Sequence, residues 1–144
     1  MENSQTPKLG EQLCFPFYLI AKEIANLYRP FLEELGITYP QYLVMMILWE
    51  EQPQTVNQIG EKLTLDSGTL TPLLKRLEAK GYLTRKRKVE DERVVQIFLT
   101  DEGTVLQHEA CLIPGRMNEK LGLTDQDLCE LKNTLHKLLT TIKK

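Results

Sequence analysis

The sequence predicts a mainly α-helical fold with one small β-hairpin, and three observations support that fold class. Apolar residues recur at helical spacing through most of the chain, most clearly over residues 65–81. Two short segments, 82–88 and 93–100, are instead rich in strand-forming residues and flank the polar turn 89–92. The length of 144 residues, with 42% hydrophobic and 26% charged content, suits a single domain or a small domain with helical extensions.

Residues 65–81 (LDSGTLTPLLKRLEAKG) form the segment around which the chain is organised. Asp66 is a good N-cap for a helix in this segment. The apolar face of that helix carries Leu70, Leu73, Leu74 and Leu77. Just upstream, Thr55 and Gln58 fit a capping box that starts a shorter helix. A short helix, a brief break and a second helix together predict a helix-turn-helix.

The outer face of the second helix combines small residues with hydroxyls and positive charge. Small side chains let a helix enter a DNA groove, while hydroxyls and cations reach phosphates and base edges. The candidate DNA-binding residues of this helix are Ser67, Gly68, Thr69, Thr71, Pro72, Lys75 and Arg76. Taken alone, the segment could also be an ordinary amphipathic helix with a basic surface.

The hairpin that follows would form the wing of a winged helix-turn-helix, which we place at residues 39–100. Charge supports this interpretation. The whole chain carries −2, but residues 75–88 contain seven cations and one anion, a local charge of +6 that leaves −8 for the rest. Such segregation is expected of a protein with one face on phosphates. The candidate DNA-binding cations of the wing are Arg85, Lys86, Arg87 and Lys88.

Helices are also predicted on both sides of this core. Residues 9–35 place their apolar residues on one stripe, which predicts a long amphipathic helix closed by Gly36, with a kink or break at Pro30. A second helix is expected after Tyr39 and Pro40, running to Glu51. It is apolar nearly all round, so we expect it to be the central core helix.

Downstream of the wing, residues 101–112 read as a helix with an acidic start, which the Pro114–Gly115 pair interrupts. Thr124 caps a last helix whose leucines repeat at spacings of 3 and 4. The first and last helices leave apolar stripes too large for one small module to cover. We therefore expect residues 1–144 to form a single domain whose segments 9–35 and 101–144 are dimerisation helices in a homodimer.

Composition excludes several classes. The N-terminus lacks the pattern of a secretory signal, and the longest apolar run, 42–49, is far too short to span a bilayer. Three cysteines without a CxxC pair predict neither a disulfide scaffold nor a zinc site. We expect a cytoplasmic protein that needs no cofactor or metal and has no membrane partner.

Several motifs are similar to those of the MarR family of bacterial regulators. They are LDSGTLTPLLKRLE, the D-x-R pattern of Asp91 and Arg93, and the N-terminal stretches QLCFPFY and ITYPQYLVMMILWE. Within that family they resemble the organic-hydroperoxide-sensing repressors called OhrR, over residues 9–100. The resemblance implies a dimer on a pseudo-palindromic DNA operator, with two recognition helices in major grooves about one turn apart. It also implies that Arg93, oriented by Asp91, enters the minor groove.

Cys14 lies at the start of the predicted N-terminal helix. The positive end of a helix favours a thiolate, which is the form that peroxides oxidise, although a lone cysteine among apolar residues is more often a packing residue. The resemblance assigns Cys14 as the sensing cysteine and implies that Tyr28 and Tyr39 bond its sulfur. The 14 residues from Cys14 to Tyr28 span about 21 Å of helix, so the two cannot meet within one chain. The sensing site is therefore expected to be shared by two subunits.

Three functions remain open from the sequence. The leading one is a repressor that leaves its operator when an organic hydroperoxide oxidises Cys14, with a small thiol capturing the sulfenic acid. Some members of the branch use a second cysteine as the resolving group; neither Cys111 nor Cys129 clearly matches it, so we favour the small thiol and leave that alternative open. The second is a MarR-type regulator controlled by a phenolic or fatty ligand. The third is a thiol peroxidase, which no motif favours, so we expect a protein that is not an enzyme.

Overall fold

The computed structural model describes residues 6–143. The elements run in the order α1 (Cys14–Leu35), α2 (Tyr39–Glu50), β1 (Gln54–Thr55), α3 (Val56–Leu63), α4 (Ser67–Ala79), β2 (Leu83–Arg87), β3 (Val95–Leu99), α5 (Asp101–Ala110), α6 (Ile113–Leu121) and α7 (Asp125–Ile142). The chain up to Cys111 forms one compact unit and the chain from Leu112 a second. The mainly helical fold with a small antiparallel sheet is confirmed.

Helix α2 is the core helix that the sequence predicts. It begins at Tyr39 because Thr38 accepts a hydrogen bond from the backbone N–H of Gln41, and the Gln41 side chain accepts one from the N–H of Thr38. Pro40 is tolerated because it falls in the first turn. The fully or almost fully buried residues of this helix are Gln41, Tyr42, Val44, Met45, Ile47 and Leu48. The other apolar residues of the run, Leu43, Met46 and Trp49, are half-buried, so the nearly continuous apolar surface corresponds to burial on most sides of the helix.

Helix α1 differs from its prediction in two respects. Residues Leu9–Glu11 form a separate 3₁₀ turn, and α1 itself begins only at Cys14. The helix also continues through Pro30 to Leu35 and ends at Gly36, whose φ is +69°. Pro30 removes one backbone hydrogen bond, but the buried side chains of Leu32 and Leu35 still hold the last turn against the core.

The helix-turn-helix is formed by α3 and α4 as predicted. Thr55 and Gln58 make the capping box of α3, and the carboxylate of Asp66 accepts from the backbone N–H of Thr69 at 2.7 Å. The break between the helices is tight: a Cβ at Gly60 would lie 2.8 Å from the carbonyl oxygen of Leu65. The four leucines on the inner face of α4 are buried.

The wing contains one more strand than the sequence predicts. Its strands lie in the order β1-β3-β2, all antiparallel, with Gln54 opposite Ile97 and Arg85 opposite Ile97 on the other side. Strand β1 is only two residues long, which is too short for an alternating pattern to be recognised. The two wing strands are also shorter than the segments 82–88 and 93–100 that predicted them.

Two of the three C-terminal helices, α5 and α7, begin at polar caps. Thr100 caps α5, which ends at Ala110 rather than at 112, and Thr124 caps α7. Pro114 does not interrupt a helix but lies in the first turn of α6, where proline is favoured. In α7 every side chain is exposed or half-buried, including the apolar Leu131, Leu139 and Ile142. Among the described helices, none is both long enough and apolar enough to cross a membrane.

Candidate functional site

The outer face of α4 is open to solvent. Of the residues predicted on it, Ser67, Gly68, Thr69, Pro72, Lys75 and Arg76 are exposed and Thr71 is half-buried. A Cβ placed on Gly68 would meet only a carboxylate oxygen of Asp66, at 3.5 Å, so this part of the helix has a flat surface with no side chain from elsewhere above it. The face is therefore shaped to approach another surface closely.

A cleft of about 180 Å³ joins this helix to the wing. It is lined by Thr55, Val56, Asn57, Ser67, Thr71, Arg93, Val94 and Val95. The N-terminal turns of α3 and α4 and the start of the second wing strand thus face one concavity. Arg93 and the recognition helix, at least 14 positions apart in sequence, are brought to the same side of the molecule.

The D-x-R motif folds as the sequence comparison implies. One carboxylate oxygen of Asp91 accepts from the backbone N–H of Arg93 at 3.1 Å and from its Nε at 3.2 Å. The Arg93 side chain nevertheless keeps 92% of its exposure, against 43% for Asp91. Asp91 therefore fixes the direction of a guanidinium whose other donors stay free for a ligand.

The remaining wing cations are not equivalent. Arg85 is held within the fold, because its guanidinium and its backbone N–H both donate to Glu78 of α4. Arg87 donates to the carbonyl oxygen of Glu92 at 2.8 Å across the wing tip, and the ammonium of Lys86 lies 5.3 Å from the ring centroid of Phe98. Lys86 and Arg87 are exposed and Lys88 is half-buried. Arg85 thus connects the first wing strand to α4, and its positive charge is already paired with the Glu78 carboxylate.

Tyr28 of α1 and Tyr39 of α2 lie together, with ring centroids 4.8 Å apart. Burial raises the pKa of both hydroxyls, and for Tyr28 the neighbouring Tyr39 raises it further. Both groups therefore remain protonated and able to donate hydrogen bonds at neutral pH. Sequence reasoning missed a third ring, that of Tyr42, which lies 5.9 Å from Tyr28 and 6.4 Å from Tyr39. Its spacing of three residues from Tyr39 on one helix was the available signal.

Cys14 is exposed and is the first residue of α1. The N-cap of this helix, Leu13, offers no side-chain hydrogen bond to the first turn. The structure does not bring Cys14 to the tyrosines of its own chain, because one continuous helix separates it from Tyr28. Cys111 and Cys129 are also free and exposed. Within residues 6–143, no group of histidine, cysteine or carboxylate side chains is arranged to hold a metal ion.

Comparison with known proteins finds transcriptional regulators both by family model and by sequence identity. A family model described as "Transcriptional regulator SarA/Rot" matches residues 26–110. The organic hydroperoxide resistance transcriptional regulator of Bacillus subtilis (strain 168) is 51% identical over 138 residues, which cover 94% of this chain and 92% of that protein.

Two solved structures of AbfR, a protein of Staphylococcus epidermidis, are also similar. The structure of reduced AbfR bound to DNA has a TM-score of 0.80 and 41% identity, covering 94% of this chain and 91% of that one. The disulfide-formed AbfR has a TM-score of only 0.64 at 45% identity, covering 91% and 92%. The chain therefore belongs to the MarR-type winged-helix transcriptional regulators, in their SarA/Rot family, and its resemblance to the hydroperoxide-sensing branch is confirmed.

Proposed function

We propose that the protein is a dimeric, DNA-binding transcriptional repressor that senses organic hydroperoxides by oxidation of Cys14 and then releases its operator. The observation that carries the proposal is the Tyr28–Tyr39 pair, two protonated hydroxyl donors that the Cys14 of their own chain cannot reach. A second chain, with its helix α1 antiparallel to the first, would bring its own Cys14 to them. The family consists of transcriptional regulators, which argues against a thiol peroxidase.

The DNA-binding part of the proposal is supported by the concave face between α4 and the wing. The recognition residues on α4 are exposed there, and Arg93 extends from the same cleft with most of its donors free. In this arrangement α4 enters a major groove while Arg93 reaches the adjacent minor groove. A relative of similar fold, reduced AbfR, has been solved bound to DNA. A two-fold dimer would present two such faces to a pseudo-palindromic operator.

The dimer is supported by apolar side chains that one chain leaves in water. On α1 these include Phe17, Leu19 and Ile20, and on α7 they include Leu131 and Leu139. Each fully buried side chain of this size contributes about 1.5–3 kcal/mol, so covering both stripes with a second copy would stabilise the fold substantially. The sensing site, which needs residues of two chains, and the exposed apolar stripes are both completed by one partner, a second copy of this chain.

The chemistry of sensing follows from thiol reactivity. The Cys14 thiolate attacks one oxygen of the hydroperoxide, an S–O bond forms as the O–O bond breaks, and the alcohol leaves after taking a proton. A small cellular thiol then condenses with the sulfenic acid, forming a mixed disulfide and releasing water. The tyrosine hydroxyls of the partner chain hydrogen-bond the thiolate before the reaction and lose that acceptor afterwards.

Release from DNA requires that the modified sulfur favour a conformation other than the DNA-binding one. The described fold is more similar to reduced, DNA-bound AbfR than to disulfide-formed AbfR, although the sequence identities are comparable. Overoxidised AbfR bound to DNA is nearly as similar as the reduced form, so this difference supports a described fold that is competent for DNA and does not by itself assign its oxidation state. Added bulk at the dimer interface would change the spacing of both recognition helices together.

Cys14→Ser provides the decisive test. We expect this variant to bind DNA about as tightly as the wild type and to stay bound when cumene hydroperoxide and a small thiol are added. Intact-mass spectrometry should record the sulfenic acid or mixed disulfide on the wild type and not on the variant. If the variant leaves DNA as readily as the wild type, the sensing role of Cys14 is wrong and control by a phenolic or fatty ligand takes its place.

Two further sets of variants refine the mechanism. Tyr28→Phe and Tyr39→Phe keep the rings but remove the hydroxyl donors, so they should preserve DNA affinity and slow oxidation of Cys14. Replacing both Cys111 and Cys129 by Ser should leave peroxide-induced release intact when a small thiol is present. Failure of that double variant to release would assign a resolving role to one of these two exposed cysteines.

A further inference from the structure

Tyr42 extends the tyrosine pair into the core. Its side chain is only 2% exposed, and its ring contacts the rings of both Tyr28 and Tyr39. Protein interiors are close-packed, so a displacement of the pair must either move this ring or open a void beside it. Tyr42 lies in the central helix α2, and its own movement is therefore coupled to that helix.

The aromatic contacts continue to the far end of α2. Tyr42 packs edge-on against Trp49, with ring centroids 6.2 Å apart and an interplanar angle of 66°. Trp49 lies about two helical turns further along α2 and is half-buried. Its indole N–H donates to the carbonyl oxygen of Gly103 at 2.9 Å. This is the point at which the aromatic series meets α5.

Gly103 lies directly against the backbone that follows the recognition helix. A Cβ at this position would lie 2.1 Å from the carbonyl oxygen of Tyr82, so the two backbones touch. Thr100, which caps the same turn of α5, donates from its backbone N–H to Tyr82 at 3.2 Å and from its hydroxyl to the carbonyl of Gly81. Gly81 and Tyr82 belong to the three-residue connection, residues 80–82, that joins α4 to the first wing strand. The first turn of α5 is therefore hydrogen-bonded to residues 80–82, which connect the two DNA-binding elements and which we call the α4–β2 joint.

We propose that Trp49 is a positioning residue that couples the tyrosine site to the α4–β2 joint through its hydrogen bond to Gly103. The inference rests on the proposed function, because it assumes that the tyrosines respond to Cys14. Trp49 itself lies outside both the tyrosine pair and the DNA-binding face. Its role is to convert a shift of α2 into a shift of α5, and thereby of the recognition helix and wing together. Packed side chains and hydrogen bonds of this kind are one route by which energetic coupling travels between two sites, and the variants below test whether this route is used.

The wild-type protein carries its own probe of this coupling, because Trp49 is the single tryptophan of the chain. Its fluorescence should change when cumene hydroperoxide and a small thiol are added, with the same rate constant as the loss of DNA binding followed by anisotropy. Cys14→Ser should show no change under the same treatment. An unchanged Trp49 spectrum during full release from DNA would overturn the inference.

Trp49→Phe tests the hydrogen bond, since it keeps an aromatic ring against Tyr42 and removes the N–H donor together with part of the indole volume. We expect DNA affinity of the reduced protein within about threefold of wild type and an unchanged rate of Cys14 oxidation by mass spectrometry. The peroxide-induced loss of DNA affinity should fall at least tenfold. Equal release by Trp49→Phe and wild type would overturn the proposal even if the fluorescence responds.

Met46→Leu is the matched control, because Met46 is half-buried on the same helix and lines the same 490 Å³ cleft as Trp49 without a donor to α5. It should release like the wild type. If it uncouples oxidation from release as Trp49→Phe does, packing in this cleft and not the indole hydrogen bond carries the effect. A wild type that is oxidised but keeps its DNA would instead contradict the proposed function itself, which separates the two failures.

Discussion

Glu78 of the recognition helix holds Arg85 of the first wing strand by three hydrogen bonds. The guanidinium donates to one carboxylate oxygen at 3.1 and 2.9 Å, and the Arg85 backbone N–H donates to the other at 2.8 Å. These bonds from Arg85 lower the pKa of Glu78, so the carboxylate stays charged throughout the neutral range. The two side chains are 28% and 34% exposed, which leaves them partly protected from solvent screening.

Glu78→Gln should therefore have two opposing effects on DNA affinity. Removing an anion from a DNA-binding face should tighten binding if charge alone matters. We expect weaker binding, by about tenfold, because the wing loses the charge-assisted hydrogen bonds that set its angle to α4. Fluorescence anisotropy with a labelled operator DNA fragment at fixed salt measures the affinities of variant and wild type. Glu90→Gln makes the same charge change on the exposed wing turn and serves as the control.

Arg93→Ala should weaken DNA binding by about ten- to a hundredfold, since it removes the exposed guanidinium that Asp91 directs. The thermal midpoint of unfolding should not change, because an exposed ion pair contributes under about 1 kcal/mol to stability. Asp91→Asn keeps the arginine but weakens its orientation, so its affinity should lie between those of wild type and Arg93→Ala. Unaltered affinity of Arg93→Ala would remove the wing from the interface.

Gly68→Leu should abolish close approach of α4 to a groove while leaving the free protein folded. The added side chain meets no backbone from elsewhere in the described chain, only the Asp66 carboxylate at 3.5 Å from its Cβ. Circular dichroism and a thermal scan verify the fold, and anisotropy measures binding. Gly103→Ala is the contrasting variant: its Cβ would overlap Tyr82, so it should lower the thermal midpoint. Near-native DNA binding by Gly68→Leu would show that this face stays outside the groove.

Leu131→Glu combined with Leu139→Glu should break the proposed dimer, because both side chains lie on the exposed apolar stripe of α7. Burying two unpaired carboxylates in an interface costs several kcal/mol. Analytical ultracentrifugation should find monomers or aggregates in place of the wild-type dimer. The control is Lys132→Glu with Lys137→Glu, which also introduces two glutamates into α7 but keeps both leucines. This variant should stay dimeric. A dimeric leucine variant would exclude this stripe from the interface.

Local signals predicted the helical part of the fold well. The start of α4 at Asp66, the capping box of α3 and the cap of α7 at Thr124 each depend on residues within one turn, which sequence spacing displays directly. The helix does not break at Pro30, because burial of its neighbours, a tertiary effect, outweighs one lost hydrogen bond. Strand β1 exists only because Gln54 and Thr55 pair with β3, and such pairing is invisible in two residues.

The candidate site was predictable to a similar extent. Exposure of α4's outer face followed from its leucine stripe, and the contact of Arg93 with Asp91 was implied by the family resemblance of the D-x-R motif. The pairing of Arg85 with Glu78 could not be foreseen, because these residues are seven positions apart in different elements and a charge count treats both as free. Trp49 and Gly103, 54 positions apart, meet only through tertiary packing.

The continuity of α1 has a genetic consequence. Cys14 begins this helix and Tyr28 lies past its midpoint, so each site of the proposed dimer takes its sulfur from one chain and its hydroxyls from the other. Consider two alleles, one carrying Cys14→Ser and the other Tyr28→Phe with Tyr39→Phe. In a mixed dimer purified through two different tags, both defects fall in one site and the other site is wild type. Fast oxidation by peroxide, absent from the first parent and slowed in the second, should thus return at one site of the hybrid, a complementation that a site confined to one chain never gives.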